Sequence, residues 1–175
     1  MSVSVQAIVT VRHLFVSPGH NYFGRHGQPA GAHPTLDVPS VRCRAGQGIE
    51  GDRFFGYRPD YNGQITFFAW ETLLALRAHF RAVALSPAVF RRNVVTEGLP
   101  LPTLAGQRFH LGEIEFEGIA EAKPCHWMDT AAAPGAEVWL RGRGGLRAKI
   151  LSDGVLLPGP VRFSAPGLLD LPAAG

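Results

Sequence analysis

Apolar and polar residues alternate from the start of the chain. Val3, Val5, Val9 and Val11 fall on one face at a period of two, so residues 3–16 read as a strand running into the turn Ser17-Pro18-Gly19. From Pro18 to Pro34 the pattern lapses into Gly, Pro, His and Asn without a period, which marks a long loop; such loops in compact domains are mostly functional or disordered. Val38, Val41 and Cys43 make a second extended stretch that Pro39 interrupts, as at an edge or bulge. After the short apolar run Gln64–Ala69, residues Leu73, Leu76, Phe80 and Val83 recur at helical spacing and predict an amphipathic helix over 70–83. Ser86 before Pro87 has the form of an N-cap with proline at the first helical position, predicting a short helix over 87–92 that Pro100 and Pro102 keep from continuing.

Two hairpins are predicted downstream. Phe109 and Leu111, then Gly112-Glu113, then Ile114 and Phe116 give alternating strands about a two-residue turn whose leading glycine suits type II′. A second hairpin is predicted over 146–163, with Asp153-Gly154 as a type I′ turn. The tail from Ser164, rich in Ala, Pro, Gly and Leu, reads as loosely held. Strands joined by tight turns, with one substantial helix and some short ones, predict a mainly β fold with a few short helices (α+β): one domain over 1–163, built as a closed or nearly closed barrel with no exposed strand edges.

Composition narrows the function. At 175 residues and 46% hydrophobic the chain supports one core, and 21 Gly and 14 Pro favour turns over long helices. The formal charge of +3 suits an anionic partner, but no run of five like charges and no alternation of basic with aromatic residues appears, so nucleic acid is not expected. Cys43 and Cys125 lie far apart without a CxxC, which points to reduced thiols rather than a disulfide framework. With no signal-like start and no apolar stretch of membrane length, the expectation is a soluble cytoplasmic protein.

The chain lacks GxxxxGK[ST], strand-linked GxGxxG, HExxH and GxSxG, which disfavours nucleotide hydrolases, dinucleotide enzymes, zincins and α/β-hydrolases. His20, His26 and His33 are spaced by six and seven, which fits no compact zinc pattern, and read as solvated loop residues. Cys125 stands in Glu121-Ala-Lys-Pro-Cys-His-Trp-Met-Asp129, beside Lys123 and His126, where neighbouring cations favour a reactive thiolate. Local chemistry describes a small packed hydrophobe equally well. Cys43, between Arg42 and Arg44 in a strand-like stretch, reads as core packing.

Three further clusters carry charge. In Gly48–Gly56, glycines hold Asp52 and Arg53 at a loop, where they form either an anion clamp or a surface ion pair. Arg91-Arg92-Asn93 is another. The last is Arg141–Arg147, whose adjacent glycines admit a ligand close to the backbone while Arg143 and Arg147 supply positive charge. Capping a helix C-terminus needs only one cation, so the clustering tilts toward anion binding. The sum is a thiol beside an anion pocket.

These pieces, in this order, resemble the MOSC family, the domain that ends molybdenum-cofactor sulfurases. The resemblance rests on Gly48-Ile-Glu-Gly-Asp-Arg53, Phe90-Arg-Arg-Asn-Val-Val-Thr-Glu-Gly98, Leu104-Ala-Gly-Gln-Arg-Phe109, Pro124-Cys125 and Gly142-Arg-Gly-Gly-Leu-Arg-Ala148, over roughly 40–163, and points to the small stand-alone members. It implies a β-barrel and a cysteine that carries sulfur or ligates molybdenum in a pterin cofactor (molybdopterin). It implies reduction of N-hydroxylated small molecules, with electrons from a partner protein. Cys125 would then be the catalytic group and metal ligand. Arg53, Arg91, Arg92, Arg143 and Arg147 would meet the anionic pterin phosphate, and Asp52 and Asn93 would orient polar edges. By family association pyridoxal phosphate is a further phosphate ligand. The alternative is a persulfide carrier served by a sulfurtransferase, or a plain anion-binding module. Where many relatives have His after the Asp-Arg pair this chain has Phe54, and the 18–34 loop is left to cap the pocket or pair subunits in a homodimer.

Overall fold

The computed structural model describes residues 4–21, 29 and 31–166. In chain order the elements are β1 (Ser4–Val16), β2 (Leu36–Asp37), β3 (Val41–Arg44), β4 (Gly48–Ile49), β5 (Ile65–Ala69), α1 (Trp70–Phe80), β6 (Val94–Glu97), β7 (Arg108–Leu111), β8 (Ile114–Glu121), α2 (Trp127–Ala131), α3 (Ala136–Trp139), β9 (Leu146–Ile150), β10 (Gly154–Leu156) and β11 (Gly159–Pro166). Short 3-10 turns lie at Pro87–Phe90 and Leu101–Leu104.

Seven strands close on themselves in the order β1-β11-β7-β8-β9-β5-β6 and back to β1, so the expected barrel is a closed one. The β5–β6 pair is parallel and the others in the ring are antiparallel. A parallel pair needs a crossover, and residues 70–93, carrying α1 and the first 3-10 turn, supply it. β2 extends the sheet beside β1, while β10, β3 and β4 form a separate small sheet.

Alternation along the strands builds two cores. Phe67, Phe109, Phe116 and Phe163, from four different strands, fill the barrel with ring centroids 5.4–6.3 Å apart. The next residue, Phe68, points outward and stacks on Phe90 at 4.3 Å within a second cluster with Leu73, Leu76, Met128, Ala136 and Leu140. β5 is therefore buried on both faces, which is why its sequence is a continuous apolar run rather than an alternating one.

Several boundaries depart from the sequence reading. The helix expected over 70–83 ends at Phe80, because Arg81 turns left-handed (φ 54°) and the Arg77 guanidinium bonds the Leu85 carbonyl, folding the chain back; Val83 is left 79% exposed. The helix expected over 87–92 is a single 3-10 turn, capped by Ser86 as expected and stopped by Arg91, also left-handed (φ 55°). The Gly112 turn forms as expected, with φ 59°.

The hairpin expected over 146–163 does not form. β9 pairs with β8 and β5, whereas β10 leaves the barrel to pair with β3. Asp153 is held by Arg44 and the Ala45 N–H rather than by a turn of its own. Gly154 has no positive φ; it is there because a Cβ would lie 2.5 Å from Ile114. Close packing, not turn chemistry, explains that glycine. Ser164, Ala165 and Pro166, the first residues of the stretch expected to be loosely held, belong to β11 instead, with Ala165 buried opposite Val5; the rest of that expectation, residues 167–175, lies outside the described residues. Among the described residues no helix is long and apolar enough to cross a membrane.

Candidate functional site

The candidate residues gather where the end of β1, the starts of β5, β6 and β9, and the end of β8 meet. Asn93 fixes that junction. Its Oδ1 accepts from the Thr66 N–H and hydroxyl (both 3.0 Å), its Nδ2 donates to the Phe15 carbonyl (3.2 Å), and its backbone N–H donates to Thr66 Oγ1 (3.1 Å). Buried, with both polar side-chain atoms bonded and no place on the cavity wall, it holds β1, β5 and β6 together. Asp52 works in the same way: Oδ1 accepts from the Ser17 N–H (3.1 Å) and Oδ2 from the Phe54 N–H (3.2 Å), with Arg53 Nη1 at 3.4 Å. The carboxylate shapes the loop that presents Arg53.

Arg92 holds the floor. Its Nε donates to the Gly144 carbonyl (3.0 Å), Nη1 to Phe90 (3.0 Å) and Nη2 to Ala122 (2.7 Å), so one guanidinium ties the start of β6 to the glycine loop and to the segment before Cys125. The residue keeps some accessible surface, but its cationic head is closed in by carbonyls. Burial first, and Arg147 second, lower its pKa to about 10, partly offset by Cys125 and Glu121. It stays charged at neutral pH. Glu121 fastens the other side of the loop by accepting from the Gly144 N–H (3.1 Å).

β8 carries a bulge between Gly118 and Ala120, then releases the chain through Pro124 to Cys125. Bulges of this kind re-aim side chains beside sites. The Cys125 thiol is half-buried and faces a cavity of about 290 Å³. Arg53, Arg91, Arg92, Lys123 and Arg147 line the same cavity, and no described carboxylate does. Burial, then Arg53, lower the pKa of Arg91 to about 10, while Asp52 opposes the shift. Phe54 and Tyr61, stacked at 5.3 Å, form an aromatic wall, with Arg53 lying over Phe54 at 4.9 Å.

Among the residues singled out from sequence, the structure thus brings Cys125, Arg53, Arg91, Arg92 and Arg147 to one cavity and sets Asp52 and Asn93 behind it. Arg143 goes elsewhere: it lies over the Trp139 ring at 4.2 Å and lines a second cavity of about 270 Å³ with Thr72, Leu101 and Glu121. Cys43 is fully buried in the barrel core, where desolvation pushes its thiol up to about 12.

Sequence reasoning assigned no site role to His20, Asn21 or Tyr61 individually, though it left the 18–34 loop to cap the pocket; all three line the cavity. Of the three histidines expected to be solvated, His33 is exposed, His26 lies outside the described residues, and His20 instead packs edge-on against Phe54 at 4.9 Å. The usable signal was the lone His-Asn pair directly after the β1 turn. His126, Asp129 and Glu137, with ligand atoms within 4.8 Å of one another, are the one metal-compatible trio among the described residues; there Asp129 also accepts from the Glu137 N–H (2.7 Å).

A family model described as the MOSC domain matches residues 18–159. The fold is similar to that of the YuaD protein from Bacillus subtilis (TM-score 0.73, 16% identity, covering 94% of this chain and 99% of that one). It also resembles YiiM from Geobacillus stearothermophilus (TM-score 0.64, 16%, 89% and 74%) and YiiM from Escherichia coli (TM-score 0.57, 19%, 84% and 68%). At these identities the likeness is one of fold. No curated protein matches the chain.

Proposed function

The chain belongs to the MOSC domain family, which is associated with the molybdenum cofactor, and from that premise we propose that its cavity holds this cofactor, with Cys125 as the molybdenum ligand, and that the protein reduces N-oxygenated small molecules. The observation that carries the reading is the cavity's lining: five cations and a half-buried thiol, with no described carboxylate among them. The donor set fits the group. A soft thiolate suits molybdenum, and guanidinium forks suit a phosphate.

When bound, the cofactor supplies two-electron redox chemistry at the metal. Arg53, Arg91 and Arg147 bind its phosphate and pterin edges. Arg92 keeps Cys125 and the glycine loop in register beneath them. Trp127, anchored by its Nε1–H to the Val89 carbonyl (3.0 Å), lines the same cavity as the sulfur. Electrons would come from a donor protein. Arg143, on the other cavity, takes no part.

Expressed in a host that makes the cofactor, wild-type protein should carry about one molybdenum per chain, and Cys125→Ala close to none, by elemental analysis. Equal metal in both, or none in either, would reject the thiol as ligand. A second reading rests on the accessibility of the same sulfur: a persulfide carrier would gain about 32 Da on exposure to a sulfurtransferase and cysteine. Mass that is absent, or that persists in Cys125→Ala, excludes it.

A further inference from the structure

We propose that this cavity takes up a proton together with its anionic ligand, and that His20 carries that proton. The proposal rests on the reading of the cavity as an anion site, and adds a titrating partner to its arginines. The ligand class is an oxyanion such as a phosphate monoester.

The backbone leading to His20 is fastened to the arginines themselves. Ser17 donates its N–H to Asp52 (3.1 Å), and its carbonyl accepts from the Arg53 N–H (2.8 Å). Arg91 Nη2 donates to the Ser17 hydroxyl (3.2 Å) and to the Gly19 carbonyl (3.0 Å). On the far side, the Asn21 side chain bonds both the N–H and the carbonyl of His33. His20 is therefore held from both directions on the cavity wall, its ring against Phe54 at 4.9 Å and near Tyr57 at 6.4 Å.

The charges facing this imidazole are Arg53, Arg91, Asp52 and His33, and Tyr61 lines the same wall. Burial lowers its pKa first, then Arg53 and Arg91; Asp52 opposes them and His33 adds slightly to the lowering. Burial and the two arginines thus favour the neutral imidazole, an uncharged donor and acceptor. An oxyanion resting on Arg53 and Arg91 offsets the repulsion that keeps the second proton off the ring, and offers that proton an acceptor. The bound-state pKa must then exceed the free-state one. By linkage, anion affinity is highest below the free-state value and falls as pH rises through the window between the two. The Asp-Arg loop and the first loop, which share no sequence motif, act here as one unit.

Sulfate is the probe, since its charge does not change between pH 5.5 and 8. Calorimetric titration of the full chain in two buffers of different ionisation enthalpy measures protons taken up per sulfate. Wild type should take up roughly 0.3–1 proton near pH 6.5 and bind sulfate at least about fivefold tighter at pH 5.5 than at pH 8. In His20→Gln both the uptake and the pH dependence should vanish while sulfate still binds; in His33→Gln both should persist. Binding without proton uptake in wild type, or uptake that survives in His20→Gln, overturns the proposal while leaving the anion site standing. No sulfate binding at any of these pH values overturns the anion site, and this inference with it.

Discussion

Gly145→Ala is expected to destabilise the protein by about 3–5 kcal/mol and to lower its thermal midpoint by roughly 10–15 °C. A Cβ at this position would lie 2.0 Å from the Phe67 carbonyl oxygen, and the residue has φ +102°, which side chains rarely adopt. Both faults fall on the seam where β9 joins β5, since Leu146 pairs with Phe67 in the next rung. The Gly145 carbonyl also accepts from the Ala122 N–H (2.9 Å), so displacing it disturbs the segment that leads to Cys125. Gly142→Ala makes the comparison. It shares the positive φ (+80°) but has open space around it, and should cost only about 1 kcal/mol. Thermal and urea unfolding of the two variants measure the difference. A Gly145→Ala midpoint within about 2 °C of wild type would mean that β9 does not run this close to β5.

The second large effect is a separation of the two thiols. At pH 8 a small aromatic disulfide reagent should titrate one sulfur per cofactor-free native chain quickly and the other only after denaturation, with rates differing by a factor on the order of 10³ or more. Cys43 has no exposed surface, and its thiol is pushed up to about 12 by burial, so about one molecule in ten thousand carries the thiolate at that pH. Cys125 is half-buried on a cavity lined by five cations. Cys125→Ala should abolish the fast phase and leave the slow one; Cys43→Ala should do the reverse. Two fast thiols, or none, would contradict the placement of these side chains.

Where the sequence reading succeeded, it followed short-range physics. The β1 alternation, the Gly112 turn, the Ser86 cap and the inward Cys43 each depend on neighbours within a few residues. Where it failed, a distant partner overruled the local preference. Asp153-Gly154 has the composition of a turn, but Arg44 and Ala45 capture the aspartate and Ile114 crowds the glycine. Leu73 and Leu76 form a helix as their spacing implies, yet the bond from Arg77 to Leu85 ends it at Phe80.

The site divides along the same line. Residue types alone marked Cys125 and the arginines as chemistry, because a thiol flanked by cations and guanidinium groups beside glycines have uses that are visible without coordinates. They could not sort those arginines. Arg143 and Arg147 are four residues apart in one glycine-rich stretch, yet one lies on Trp139 and the other lines the thiol's cavity, since the strand beginning at Leu146 takes its direction from pairing with β5 and β8. Arg91 and Arg92 are adjacent, and only closure of the barrel sends the first to the loop after β1 and the second beneath Cys125. The sequence by itself determined a sheet-rich chain with a reactive-looking sulfur and excess cations, because alternation, turns and charge are local properties. Tertiary structure alone decided which cations share the sulfur's cavity and brought His20 to them, because a side chain's outlook depends on pairing partners far away in the chain.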